Sequence, residues 1–127
     1  MSTMPTRSLR TGVELSTLGF GGAPIGELFD PVSETQAQDT LQAAWEAGIR
    51  YYDTAPFYGY GKSEHRYGHF LRQQERKDFV VSTKVGRVLT ATRDLDNFDK
   101  GFWTGGLPFD YRFDYAYAGS MRSWDDS

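Results

Sequence analysis

The sequence predicts an α/β fold in which short parallel strands alternate with helices, and three observations carry that prediction. Strand-like segments at 16–20, 49–54 and 79–85 recur at roughly thirty-residue intervals. Two stretches between them carry apolar residues at helical spacing. Each interval is long enough for a crossover helix, and such crossovers are right-handed and leave the strands parallel.

The chain opens on a polar tail, Met1 to Thr6, expected to fray. Ser8-Leu9-Arg10 and Val13-Glu14-Leu15 flank Thr11-Gly12, a hairpin signal. Ser16 to Phe20 then reads as the first strand of the parallel set. Gly21-Gly22 stands at its carboxyl end, where a missing side chain lets backbone approach a ligand closely. Ser33-Glu34-Thr35-Gln36 fits a capping box. Ala37, Leu41, Ala44 and Trp45 follow on one helical face, and Gly48 suits the stop. Ile49 to Thr54 is the second strand. Lys62 or Ser63 opens a second helix with Tyr67, Phe70 and Leu71 on its apolar side. That helix ends near Arg76-Lys77-Asp78, where basic residues suit its dipole. Phe79 to Val85 is the third strand.

From Gly86 to Ala118 the pattern reads as irregular. Asp94 to Lys100 is polar, and an aromatic run follows, punctuated by glycine and proline from Phe102 to Tyr117. A loop this long in a compact domain is usually functional or disordered, and its aromatic content argues against disorder. At the rim of a parallel sheet such a run suits a substrate pocket, with Trp103 a lining residue; it also suits a simple hydrophobic cover. Residues 119–127 read as the start of a third helix. The organisation is thus a tail and hairpin (1–15), three strands with two helices (16–85), the aromatic segment (86–118) and the helix start (119–127).

The chemistry gathers at the strand ends. Asp53 closes the second strand, Tyr58 lies five residues on, and Lys84 closes the third strand. If the strands are parallel neighbours, the three converge at one rim. A phenol has an unperturbed pKa of about 10. A nearby ammonium favours its ionised form, and a carboxylate holds that ammonium charged and in place. Such a trio can pass a proton to or from a carbonyl oxygen. By spacing alone, the same residues also suit a surface salt bridge beside a packed tyrosine.

The motif Asp53-Thr54-Ala55-Pro56-Phe57-Tyr58-Gly59, followed by Ser82-Thr83-Lys84, resembles the aldo-keto reductase superfamily, most closely its branch of pyridoxal and aldose dehydrogenases. Leu18-Gly19-Phe20-Gly21-Gly22-Ala23-Pro24-Ile25-Gly26 and Phe113-Asp114-Tyr115 with Gly119-Ser120-Met121-Arg122-Ser123 resemble that branch as well. The resemblance runs from about Arg7 to Ser127. It implies the N-terminal part of a (β/α)8 TIM barrel, about three βα units preceded by a β-hairpin. Such barrels need about 250 residues, so a chain of 127 residues is expected to be a fragment with little activity alone. The resemblance implies Tyr58 as acid/base, Lys84 as its tuner and Asp53 as the partner of Lys84. It further implies NAD or NADP with its nicotinamide end near Gly22, Ala23 and Asp53, and a small carbonyl or sugar-like substrate near Phe57. A fourth member, a histidine closing a fourth strand, is expected beyond Ser127.

Composition and near-miss motifs narrow the alternatives. A net charge of −3 gives no basic footprint for a nucleic-acid partner. The absence of cysteine removes disulfides, thiolate metal sites and a cysteine nucleophile. No apolar run approaches the ~20 residues of a membrane span, and a cytoplasmic protein is the expectation. The segment 19–24 fails the dinucleotide fingerprint because its third glycine would be Pro24, and Gly61-Lys62-Ser63 fails the phosphate-loop pattern because its first glycine falls on Pro56. His65 and His69 stand one helical turn apart, a spacing open to a metal, but they have no further ligand in view and suit solvent-facing positions. Two rivals remain: a Schiff-base aldolase built on Lys84, and a non-catalytic piece that only assembles.

Overall fold

The computed structural model describes residues 4–127, so part of the expected tail, residues 1–3, lies outside the described residues. An antiparallel hairpin of β1 (Thr6–Ser8) and β2 (Glu14–Ser16) comes first, with Ser8 opposite Glu14. Its turn is closed by Leu9 N–H donating to the Val13 carbonyl at 2.8 Å, and Gly12 takes a φ of +85°. Both arms sit slightly outside the expected segments.

Ser16 belongs to this hairpin rather than to the parallel set, a correction with a local cause. Its hydroxyl accepts from Arg50 N–H at 3.0 Å and donates to the Leu18 carbonyl at 2.7 Å. Those side-chain bonds displace the ladder bonds a longer strand would need. The first parallel strand therefore shrinks to β3 (Phe20–Gly21). It pairs with β4 (Tyr51–Asp53), which pairs in turn with β5 (Val80–Ser82), both in parallel. The registers Gly21–Asp53 and Asp53–Ser82 align the carboxyl ends of all three strands.

Two helices cover one face. In α1 (Glu34–Glu46), Ser33 Oγ accepts from Gln36 N–H at 3.1 Å, and Gly48 with φ +93° turns the chain out. The other crossover helix is α2 (Lys62–Leu71). Between helices and sheet lies the core: Ile25, Ala37, Leu41, Tyr52, Tyr67, Phe70, Leu71 and Phe79, flanked by Phe20, Trp45 and Ile49. Each fully buried large apolar side chain contributes about 1.5–3 kcal/mol. Strand alternation sends Tyr52 into this core and leaves Tyr51 and Asp53 on the opposite face, where Tyr51 Oη lies 3.1 Å from Ser82 Oγ. Burial pushes the Tyr52 phenol up to about 12 and raises Tyr67 as well, so both stay neutral.

The segment expected to be irregular contains a second hairpin. β6 (Arg87–Ala91) pairs antiparallel with β7 (Phe109–Phe113), Arg87 opposite Phe113 and Ala91 opposite Phe109. The alternation Phe109-Asp110-Tyr111-Arg112-Phe113 is a period-two strand pattern that the surrounding glycines and prolines obscure. The intervening loop is pinned by Thr104 N–H donating to the Glu27 carbonyl at 3.0 Å and by a bridge between Leu28 and Trp103. The last helix, α3 (Tyr117–Asp126), starts two residues before the expected Gly119. Among the described residues no helix is long and apolar enough to cross a membrane.

Candidate active site

Parallel register, not proximity in sequence, brings the site together. Asp53 ends β4 opposite Ser82, and the chain beyond β5 returns Lys84 over the strand ends. Lys84 Nζ donates to Asp53 Oδ2 and to the Thr54 carbonyl, each at 2.9 Å. Ser82 Oγ donates to Asp53 Oδ1 at 2.7 Å, so both carboxylate oxygens are engaged. Burial by itself would raise the Asp53 pKa, but the Lys84 and Ser82 hydrogen bonds and the ammonium charge outweigh it and hold the carboxyl below its ordinary range. Burial would likewise lower Lys84, but Asp53, with a further contribution from Tyr58, outweighs it and raises the ammonium pKa. The pair is only partly shielded, with the Lys84 side chain 49% exposed. Lys84 Nζ lies 4.9 Å from the centroid of the Tyr58 ring. Asp53, Tyr58 and Lys84 therefore meet at one rim.

The loop carrying Tyr58 is clamped from two sides. Gly59 has φ +69°, and its backbone packs against that of Gly26 so closely that a Cβ on Gly59 would lie 2.5 Å from the Gly26 carbonyl oxygen. On the other side the Trp103 ring packs 5.7 Å from the Tyr58 ring, and Leu107 N–H donates to the Gly59 carbonyl at 3.0 Å. Neither clamp could be read from the sequence, because each joins segments far apart in the chain.

Gly22 is a glycine for an internal reason. Its N–H donates to the Asp53 carbonyl at 2.8 Å, and a Cβ there would lie 2.6 Å from Ser63 Oγ and 2.9 Å from Tyr67 Oη. The close approach expected for a ligand is made by the protein itself. Gly21, by contrast, is exposed with nothing within 4 Å of a would-be Cβ, and Ala23 is half-buried.

Phe57 is half-buried at the centre of an aromatic cluster with Tyr60, Phe102, Trp103 and Tyr111. Trp103 is placed otherwise than a pocket-lining reading requires. It is 2% exposed and stands edge-on behind Phe57 at 5.4 Å, backing Phe57 and Tyr58 rather than presenting a surface of its own. The cause is the pinned loop around Glu27 and Leu28, which folds the indole under the cluster. His65 and His69 are both exposed on α2.

Two partly buried ionic knots were not legible in the sequence. Arg66, on the buried side of α2, donates to Glu34 Oε2 at 2.9 Å, the Ile25 carbonyl at 2.7 Å and the Val32 carbonyl at 2.8 Å. Glu27 pairs with Lys62 and accepts from Val32 N–H at 3.0 Å. Together they tie the segment after β3 to the start of α2. A further unforeseen residue, Arg87, stacks on Phe57 with its guanidinium carbon 3.8 Å from the ring centroid. A cation three residues beyond Lys84, just past a strand's carboxyl end, was the available signal for it.

This fold and site define a class, and the chain belongs to the Aldo/keto reductase family, whose model matches residues 17–118. It is 48% identical over 127 aligned residues to pyridoxal 4-dehydrogenase of Microbacterium luteolum, covering 93% of this chain and 36% of that protein. Over 89 residues it is 51% identical to D-threo-aldose 1-dehydrogenase of a Pseudomonas species, covering 70% of this chain and 27% of that one. The holo structure of an aldo-keto reductase from Bacillus halodurans matches it with a TM-score of 0.69 at 30% identity, over 97% of this chain and 35% of that one. The parallel strands and their helices are those of the N-terminal part of a (β/α)8 barrel, and the chain spans about a third of these relatives' length.

Proposed function

We propose that the protein carrying this chain is an NAD- or NADP-dependent oxidoreductase that interconverts a carbonyl or hemiacetal and an alcohol or lactone, on an aldose- or pyridoxal-like substrate. The observation that carries this reading is the placement of Lys84 Nζ, 2.9 Å from Asp53 Oδ2 and beside the Tyr58 ring. The substrate class rests on the names of the two dehydrogenases above.

In this reading Tyr58 Oη gives a proton to the substrate oxygen during reduction and takes it back during oxidation. The Lys84 ammonium stabilises the phenolate left behind, because opposite charge favours the ionised form. Asp53 fixes that ammonium, and Ser82 fixes Asp53. When bound, the nicotinamide cofactor supplies or accepts the hydride at the substrate carbon. Its nicotinamide end would be held beside Gly22, Ala23 and Asp53, where exposed Gly21 leaves space free of side chains. Phe57 forms the apolar wall for the substrate, and Trp103 supports it from behind.

A Schiff base on Lys84 requires a free amine lone pair. Asp53 holds the group as an ammonium, which favours the oxidoreductase reading. The deciding experiment incubates the full-length polypeptide carrying this sequence with an aldose and NAD or NADP, and in parallel with aldose and borohydride. Nicotinamide reduction without a lysine adduct is expected. A trapped adduct on Lys84 without nicotinamide reduction would establish the aldolase instead, and neither signal would favour the assembly role.

A further inference from the structure

Beside the Asp53–Lys84 pair lies a cavity of about 220 Å³ lined by Phe57, Lys84, Val85, Arg87 and Tyr115, and the role of Arg87 in it is unaccounted for. Its guanidinium is held among three rings, 3.8 Å from the centroid of Phe57, 4.8 Å from Phe113 and 5.3 Å from Tyr111. Its Nε is buried without a hydrogen-bond partner. Among the described residues no carboxylate pairs with it. Arg66 shows how this chain satisfies a structural guanidinium: a carboxylate and two backbone carbonyls share its donors. Arg87 has rings in place of acceptors. A buried donor left unpaired is unfavourable and calls for an explanation. The charge of Lys84 is balanced by Asp53, whereas among the described residues no carboxylate balances that of Arg87.

We propose that Arg87 is a specificity-determining residue that donates to paired oxygens of the substrate, either an oxyanion or two neighbouring hydroxyls. The inference rests on the oxidoreductase reading, which puts the reacting carbon at Tyr58 and Lys84. A guanidinium presents its donors in a planar fork that matches two oxygens at once. The surrounding rings fix the plane of that fork before the substrate arrives, so little side-chain freedom is lost on binding. The shared cavity lets one small molecule touch Lys84 with one end and Arg87 with the other. Substrates bearing oxygens away from the reacting carbon are thereby preferred over plain aldehydes.

The test compares three three-carbon aldehydes in the full-length polypeptide with its cofactor: propanal, glyceraldehyde and glyceraldehyde 3-phosphate. In Arg87→Met, which keeps an apolar stem over Phe57, the preference for oxygen-bearing substrate over propanal, read as a ratio of kcat/KM, should fall about 10–100-fold, mainly through KM. Arg87→Lys, which keeps the charge but loses the fork, should fall in between and guards against misfolding of the methionine variant. A larger loss for the phosphate identifies an oxyanion subsite, and a larger loss for glyceraldehyde identifies a diol subsite. An unchanged ratio in both variants overturns the proposal and leaves Arg87 a stacking residue. A second readout is independent of turnover. The Arg87 Nε–H proton resonance should shift on adding glyceraldehyde 3-phosphate or glyceraldehyde, and no shift with either overturns the proposal. Absent turnover with a shifted resonance refutes the oxidoreductase reading alone.

Discussion

Substituting alanine for Gly59 tests whether a glycine-on-glycine contact fixes the loop that carries Tyr58. Gly59 holds φ +69°, and a Cβ there would lie 2.5 Å from the Gly26 carbonyl oxygen and 2.9 Å from Lys62 Cβ. Two penalties combine. Left-handed backbone costs a non-glycine residue about 1–2 kcal/mol, and overpacking against neighbours that cannot rotate away costs about 1–3 kcal/mol. Gly59→Ala should therefore destabilise the protein by roughly 2–5 kcal/mol. Gly12 supplies the control, because its φ is +85° and nothing lies within 4 Å of a would-be Cβ. Gly12→Ala should cost only the backbone part, about 1–2 kcal/mol. Both substitutions restrict the unfolded chain alike, so their difference isolates the close contacts with Gly26 and Lys62. Urea unfolding of the full-length polypeptide reads both values, provided the slope is unchanged. Turnover should fall at least about tenfold in Gly59→Ala, because a misplaced reacting group loses rate steeply, and should hold in Gly12→Ala. Equal destabilisation by the two, within about 0.5 kcal/mol, would refute the clamp.

Lys84→Met should nearly abolish turnover, whereas Phe57→Ala should act mainly on KM; steady-state kinetics separates them, and equal small effects would remove Lys84 from its role. The Asp53–Lys84 pair also sets a pH window. Asp53 is held below its ordinary 3.8, so its contribution is present above that value and is lost as pH falls through the lower folded value. Lys84 is raised above its ordinary 10.5, so its contribution is present below that value and is lost as pH rises through the higher folded one. The stability difference between wild type and Lys84→Met should accordingly be flat between roughly pH 4 and 10 and shrink outside it, as denaturant midpoints would record. Arg66→Ala should destabilise by about 2–4 kcal/mol by stranding the Ile25 and Val32 carbonyls. Glu34→Gln should cost under about 1 kcal/mol, because Glu34 is 61% exposed. Similar losses from the two would mean the ion pair, not the carbonyl bonds, carries the knot.

The alternation of strands and helices was legible because it lives in local periodicity, as Ala37, Leu41, Tyr67 and Phe70 show. The approach of Lys84 to Asp53 was legible because parallel register converts strand ends into neighbours, whereas the clamps that hold the Tyr58 loop beside them were not. What escaped depends on contacts across the chain. Ser16 looked like the start of the first parallel strand and instead ends the hairpin, its hydroxyl engaged by Leu18 and Arg50. The Phe109–Phe113 strand was hidden by its punctuated surroundings, and with it went the cradle that holds Arg87. The aromatic run with Trp103 was read as pocket lining or as a hydrophobic cover, and the burial of Trp103, decided by Glu27 and Leu28 some seventy-five residues earlier, could not be read from it. Gly22 was read with Gly21 as a close approach to a ligand, and what approaches it in the fold is Ser63 and Tyr67.

The central claim is that the Tyr58 hydroxyl moves the proton at this rim, and Tyr58→Phe tests it most directly. The substitution removes one oxygen and keeps the ring that packs against Trp103. In the full-length polypeptide, nicotinamide turnover with an aldose should fall about 10²–10⁴-fold, while cofactor affinity and the unfolding midpoint stay close to wild type. Turnover within a few-fold of wild type would contradict the account and move the proton donor elsewhere.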